Sequence, residues 1–196
     1  MRTLKFAALL VVGALALTGC TTDTLAAQYR DGGSKNYIAG DGTITEIALK
    51  NRAKPIEFSG TTEHGQKVDS SDYAGQVLVV NFWYAGCPPC RAEAAELQSI
   101  SKQYANKGVS FLGVNIYDSA PTAIGFEKSY GVTYPSVLDR DTGSVLLAFS
   151  GSVPPKATPT TIVLDKEGRV SARVLGELAS ASILDSLIQT ALAEKD

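Results

Sequence analysis

The sequence is poor in the side chains that bind metals and carries little excess charge of either sign. It has one histidine, His64, and three cysteines, whereas a structural zinc site takes four Cys or His ligands. Basic and acidic residues number 18 and 20, which leaves a formal net charge of −2. No run of Lys or Arg follows the N-terminus, so the sequence offers no basic surface for nucleic acid. We therefore expect no resident metal, no other cofactor and no nucleic-acid partner.

The N-terminus has the features of an export signal rather than of a folded segment. Two basic residues precede an uncharged apolar run at 6–17, which is too short to span a bilayer. The Leu-Thr-Gly that follows, directly ahead of Cys20, resembles a bacterial lipobox. We expect residues 1–19 to be removed and Cys20 to carry the acyl chains of a membrane anchor. The alternative is an ordinary secretory signal. Both interpretations export the chain to a compartment that permits disulfides.

The remaining sequence divides into a polar segment and one α/β domain. Residues 20–53 are polar and contain several glycines, which predicts a flexible membrane tether, with a short strand near residues 44–49 as an alternative. Residues 54–196 alternate strand-like and helix-like patterns, which indicates a layered α/β domain. The predicted elements are a hairpin at 56–68, strands at 77–83, 109–116 and 132–138, helices at 88–104 and 121–130, a hairpin at 160–175 and a last helix at 180–193, with Ser180 as its N-cap.

Cys87-Pro88-Pro89-Cys90 lies where a buried strand gives way to a helix. Unpaired N–H groups and the helix dipole at such a junction favour a thiolate, which is the attacking species in disulfide exchange. We expect Cys87 to be the N-cap and the exposed nucleophile, and Cys90, one turn further on, to resolve the mixed disulfide. The alternatives are half of a zinc site, for which no second Cys or His pair exists, and a structural disulfide, whose tiny loop stabilises little.

A wider set of residues resembles one family. The segment from Asn81 to Arg91, with the Cys-Pro-Pro-Cys motif inside it, is similar to the active-site strand and helix of TlpA/ResA-type thioredoxin-like proteins. The resemblance extends from about Lys54 to the C-terminus. It implies a thioredoxin-like fold, with a central mixed β-sheet flanked by helices and an N-terminal β-hairpin extension. It also implies that Pro159 is cis and that the Thr158 backbone pairs with an extended substrate.

Three more residues are candidates for the site. A helical wheel places Glu93 on the same stripe as Cys90, where burial would raise its pKa and allow proton exchange with that thiol. The alternative is a carboxylate that reaches solvent near the start of the helix. Asn81 stands where thioredoxins proper have a buried acidic residue, which makes Glu93 more important. Trp83 and Tyr84 are expected to line the substrate site.

The resemblance implies a reductase of disulfides in exported proteins. The expected substrate is apocytochrome c, whose CxxCH cysteines must be reduced before haem attachment, and the expected electron donor is a membrane thiol-transfer protein of the CcdA type. The chain would act at the extracytoplasmic face of the cell membrane, or be secreted if the lipobox is not used. The alternatives are an extracytoplasmic oxidant that forms disulfides, a thioredoxin-fold peroxidase, and a non-catalytic binding lipoprotein.

Overall fold

The protein is represented by a computed structural model that describes residues 43–152 and 157–194. Cys20 and the predicted signal segment lie outside these residues. The eight strands are β1 Thr43–Glu46, β2 Ser59–Thr61, β3 Lys67–Asp69, β4 Val77–Trp83, β5 Val109–Asn115, β6 Ser136–Leu138, β7 Thr160–Leu164 and β8 Val170–Leu175. The four α-helices are α1 Pro88–Gln103, α2 Ala120–Tyr130, α3 Ser144–Ala148 and α4 Ala181–Ala193, with short 3-10 helices at Leu49–Asn51 and Ser70–Tyr73.

Six of the strands form one mixed sheet in the order β1-β8-β7-β4-β5-β6. Strand β4 is buried at every residue, and it pairs in parallel with β5 and antiparallel with β7. Its near-continuous apolar sequence is what a strand covered on both faces requires. Val77 and Val79 pack on one face against α1 and α4, while Leu78, Val80 and Phe82 pack on the other face against the segment around α3. The predicted thioredoxin-like fold is confirmed.

The helix ends follow from local residues. The Ser180 hydroxyl accepts a hydrogen bond from the Ser182 N–H at 3.1 Å, so Ser180 is the N-cap of α4 as predicted. Helix α2 ends at Gly131, whose positive φ of 69° is a conformation that glycine adopts without strain. Among the described residues, no helix has the length and apolar character needed to cross a bilayer.

Strands β2 and β3 form the predicted N-terminal hairpin as a separate two-stranded sheet. It packs closely on β6, because a Cβ at Gly60 would lie 2.4 Å from Cγ1 of Val137. The turn of the hairpin passes through His64 and Gly65. This contact places the hairpin beside β6 at the edge of the main sheet.

The folded part begins before the predicted boundary at Lys54. Strand β1 lies within the segment assigned to the tether, yet it pairs with β8 at the edge of the main sheet. Arg52 is also anchored, since its guanidinium lies 2.9 Å from the Asp165 carboxylate and binds Glu194 at the end of α4. The tether prediction is therefore wrong from Thr43 onward, because partners distant in sequence order this segment.

Helix α3 was not predicted. Its first turn is held by the Asp139 carboxylate, which accepts hydrogen bonds from the N–H groups of Val145 and Leu146 at 3.0 and 2.7 Å. A carboxylate at this position satisfies N–H groups that have no partner within the helix. Asp139 is itself buried, and the residue directly before the helix is Gly143. The sequence therefore has no polar N-cap that would mark the start of this helix.

Candidate active site

Cys87 and Cys90 form a disulfide at the N-terminus of α1. Cys87 is the N-cap, and its sulfur accepts the Cys90 N–H at 3.2 Å. The prediction that Cys87 is exposed is wrong for this oxidised state, because the residue has no exposed surface. Both cysteines pack in a cluster with Trp83, Phe126 and Val132. Helix α2 and the segment after it therefore contribute to the buried cluster that contains the disulfide, which the local motif does not encode.

Glu93 lies inside the protein, one turn beyond Cys90 on α1. It is 2% exposed, so the geometry supports the buried alternative over a carboxylate that reaches solvent. Its two oxygens accept hydrogen bonds from the Asn81 side-chain amide at 2.9 Å and from the Leu178 backbone N–H at 2.8 Å. Burial raises the pKa of Glu93 to about 8, although both hydrogen bonds act in the opposite direction.

Asn81 holds the Glu93 carboxylate against the central sheet. Its amide also donates to the Thr161 hydroxyl at 3.1 Å, and the residue is 5% exposed. A neutral amide on β4 therefore contacts the carboxylate from the sheet side. Residues three apart on a helix are neighbours on one face, with roughly 5–6 Å between Cβ atoms, so Glu93 lies within the surroundings of Cys90.

The two aromatic residues before the motif occupy different environments. Trp83 is 4% exposed, its ring packs on Phe126, and its indole N–H donates to the Ser136 hydroxyl at 3.2 Å. Tyr84 is half-buried, and its ring lies edge-on to Tyr117 with centroids 5.0 Å apart. Tyr117 is 45% exposed. Tyr84 and Tyr117 therefore present an aromatic surface to solvent, whereas Trp83 supports the site from within.

The Thr158–Pro159 peptide bond is cis, as the resemblance implies. The Pro159 carbonyl accepts the Gly176 N–H at 2.9 Å, which ties the segment to the end of β8. Thr158 is 2% exposed. Pairing of its backbone with a substrate stays a prediction.

Asp118 is a site residue that the sequence analysis missed. Its carboxylate accepts the Ala85 N–H at 2.6 Å and the Asn115 side-chain amide at 2.8 Å. The side-chain oxygen of Asn115, Oδ1, in turn accepts the Asp118 backbone N–H at 2.7 Å. The loop that leads into Cys87 is thereby fixed to the end of β5. The available signal was an Asn and an Asp three residues apart directly after a buried strand, a spacing typical of side-chain turns.

His64 lies on the turn of the hairpin, outside the buried cluster that contains the disulfide. Its side chain is 58% exposed. It has carboxylate neighbours that the sequence did not indicate, because its Nε2 lies 3.5 Å from both Glu63 and Glu127.

Comparison with known proteins agrees with this geometry. The Redoxin family model matches residues 48–188. The thiol-disulfide oxidoreductase ResA of Bacillus subtilis is 34% identical over 122 residues, which are 62% of this chain and 65% of that protein. The match thus spans slightly less than two thirds of that relative.

Two solved structures are similar over most of their length. A DsbF homologue from Corynebacterium diphtheriae is 32% identical with a TM-score of 0.67, covering 77% of this chain and 94% of that one. A secreted thiol-disulfide isomerase from Corynebacterium glutamicum is 30% identical with a TM-score of 0.65, covering 76% and 99%.

Proposed function

Because the chain belongs to the Redoxin family, we propose that it is a thiol-disulfide oxidoreductase that reduces disulfides of exported proteins. The observation that carries this proposal is the Cys87–Cys90 pair at the start of α1 with the buried Glu93 one turn behind it. The similarity to ResA, a thiol-disulfide oxidoreductase, supports the reaction class.

The proposed reaction passes two electrons from the enzyme dithiol to the substrate disulfide. The Cys87 thiolate attacks one substrate sulfur, so that an enzyme–substrate S–S bond forms while the substrate S–S bond breaks and its leaving sulfur takes up a proton. Cys90 then loses its proton and attacks the Cys87 sulfur, which releases the second substrate thiol. The product on the enzyme is the Cys87–Cys90 disulfide of the structure.

Glu93 is suited to exchange the Cys90 proton in this second step. Its pKa of about 8 keeps both protonation states accessible near neutral pH, where a general acid or base is most effective. The Asn81 amide and the Leu178 N–H fix the orientation of the carboxylate. Glu93 thus supplies a proton site inside the protein where water is excluded.

The proposal extends to location and partners. Anchoring through an acylated Cys20 would hold the domain at the extracytoplasmic face of the membrane, and the similarity to a secreted isomerase supports that side. We propose the CxxCH segment of apocytochrome c as substrate and a CcdA-type membrane protein as the reductant that regenerates the dithiol. Tyr84 and the Thr158–Pro159 segment are the proposed surroundings of the bound substrate, with the buried Trp83 supporting the site from within.

A trapping experiment tests the proposal. In a Cys20→Ser background, reduced Cys90→Ser protein should form a stable mixed disulfide with an oxidised CxxCH peptide, because the resolving thiol is missing. Cys87→Ser should form no mixed disulfide, and the reduced Cys20→Ser parent should reduce the peptide disulfide to two thiols. Mass spectrometry identifies the linked cysteine. A mixed disulfide through Cys90 in the Cys87→Ser protein, or no peptide reduction by the parent, would contradict the assigned roles.

A further inference from the structure

A second cluster of reactive side chains lies apart from the disulfide, between the hairpin and α2. Nε2 of His64 lies 3.5 Å from an oxygen of Glu63 and 3.5 Å from an oxygen of Glu127. One ligand atom from each of the three residues falls within 4.8 Å of the others. Imidazole and carboxylate are the ligand types that zinc accepts besides thiolate. The cluster therefore combines a suitable donor set with close spacing.

The side chains of Glu63 and Glu127 are largely buried. The Glu63 side chain is 2% exposed, and one of its oxygens accepts the Ser136 N–H at 2.8 Å, which leaves the other directed at His64. The Glu127 side chain is 11% exposed. Its Oε2 is the oxygen that faces His64, whereas its Oε1 is buried and receives no hydrogen bond from the described part of the chain. A buried carboxylate that lacks donors is costly, and a cation bound through Oε2 would offset part of that cost by neutralising its charge.

Two of the three separations between ligand atoms match those of a tetrahedral zinc site, and the third, between Glu63 and Glu127, is at most 4.8 Å. Zinc binds nitrogen and carboxylate oxygen at roughly 2.0–2.2 Å, so neighbouring ligand atoms in a tetrahedral site are roughly 3.3–3.6 Å apart. Both distances from His64 to the carboxylates have this value. Calcium and magnesium favour six or more oxygen ligands, which a site with one imidazole and two carboxylates does not provide.

We propose that Glu63, His64 and Glu127 bind one Zn²⁺ ion, with water as the fourth ligand on the exposed side of His64. Two carboxylates balance the charge of the ion and lose their mutual repulsion when it binds. The site ties the hairpin to α2. It also reaches the disulfide cluster indirectly, because Ser136, which donates its N–H to Glu63, accepts the Trp83 indole N–H.

Calorimetric titration of the oxidised full chain with Zn²⁺ tests this site. Cys87 and Cys90 are held as the disulfide, and Cys20 is alkylated, so that no thiol competes for the ion. We expect one equivalent to bind, with the affinity reduced at least tenfold in His64→Ala and in Glu127→Gln. Glu57→Gln, which removes a carboxylate from an exposed position before the hairpin, should bind as the parent does.

A second readout reports the geometry of the site. Co²⁺ in place of Zn²⁺ should give the intense visible absorption of a four-coordinate ion in the parent and lose it in His64→Ala. Because His64 is exposed, its replacement is not expected to disturb folding, which circular dichroism checks. The absence of one-to-one binding, or unchanged binding in His64→Ala, would overturn the proposal. Neither result bears on the proposed reductase activity, because the titration uses the oxidised protein.

Discussion

Replacement of Glu93 by Gln should change how the stability of the protein depends on pH. Burial raises the pKa of Glu93 from an ordinary value of 4.5 to about 8, so the folded state holds a proton there that the unfolded chain releases above about pH 4.5. In the wild-type protein the free energy of unfolding therefore falls as pH rises from about 4.5 to about 8, and it levels off above that. The Gln variant lacks this ionisation and escapes the loss.

The magnitude follows from the same gap in pKa. At about 1.4 kcal/mol per pH unit, the wild type should lose about 3 to 4 kcal/mol relative to Glu93→Gln between about pH 5 and about pH 8. The free energies of unfolding of the two proteins should also differ by an amount that does not vary with pH. Both groups that contact Glu93 are donors, whereas the Gln side chain has an NH2 group, which can pair only if the Asn81 amide rotates to present its own oxygen. Only the difference in slope reports the titration.

Urea denaturation of the oxidised proteins across this pH range measures the effect. Glu57→Gln is the control, since Glu57 is an exposed carboxylate outside α1 that is not among the charges acting on Glu93, and its replacement should leave the wild-type profile unchanged. Parallel pH profiles for the wild type and Glu93→Gln would refute the claim that this carboxyl group is neutral in the folded state near pH 7.

Three further substitutions probe the supports of the site, each by urea denaturation beside an insulin-reduction assay. Asp118→Ala removes the acceptor of the Ala85 N–H, so it should lower the free energy of unfolding by about 1–3 kcal/mol and slow insulin reduction. Asp118→Asn keeps an acceptor and should lose less of both. Equal losses in the two variants would contradict this role. Gly113→Ala places a Cβ 2.1 Å from the Ser136 hydroxyl oxygen and should lower the free energy of unfolding by about 1–3 kcal/mol. An unchanged urea midpoint would show that Ser136 moves aside without cost. Arg52→Ala removes the Arg52 ion pair of Glu194 and one of two ion pairs of Asp165, which keeps Arg169, and should cost about 1–3 kcal/mol that Arg52→Lys should not restore fully. A neutral effect would contradict a stabilising role for the Arg52 ion pairs.

The parts of the fold that local sequence encodes could be predicted. The apolar run at 77–83 indicated a strand buried on both faces, and β4 is such a strand. Cys87 was predicted to be an N-cap, and α1 begins directly after it, with the Cys90 N–H donating to the Cys87 sulfur. The helical wheel placed Glu93 on the inner stripe because the period of a helix is fixed once its start is known.

What could not be predicted depends on residues far apart in sequence. Arg52 is ordered by Asp165 and Glu194, which are 113 and 142 positions away, so nothing near it separates a tether from a folded segment. Cys87 is likewise buried in a cluster that includes Phe126 and Val132, which are distant from it in sequence. The Cys-Pro-Pro-Cys motif predicts that the Cys87 sulfur lies at a helix end, but it does not predict which distant residues pack in the same cluster.

The cluster around His64 shows the same limit for a possible ligand site. His64 has no Cys or His near it in sequence, and sequence spacing does not indicate which carboxylates from other elements lie beside it. Glu63 adjoins His64 in sequence, whereas Glu127 comes from α2. Only the packing of α2 beside the hairpin turn brings the third group into place.

The midpoint potential of the Cys87/Cys90 couple, measured on the Cys20→Ser protein, tests the central claim most directly. A reductase supplied with electrons from the cytoplasm should have a potential near that of thioredoxin, about −270 mV. A potential near that of DsbA, about −120 mV, would contradict the proposed direction of electron flow and identify the protein as an oxidant that forms disulfides.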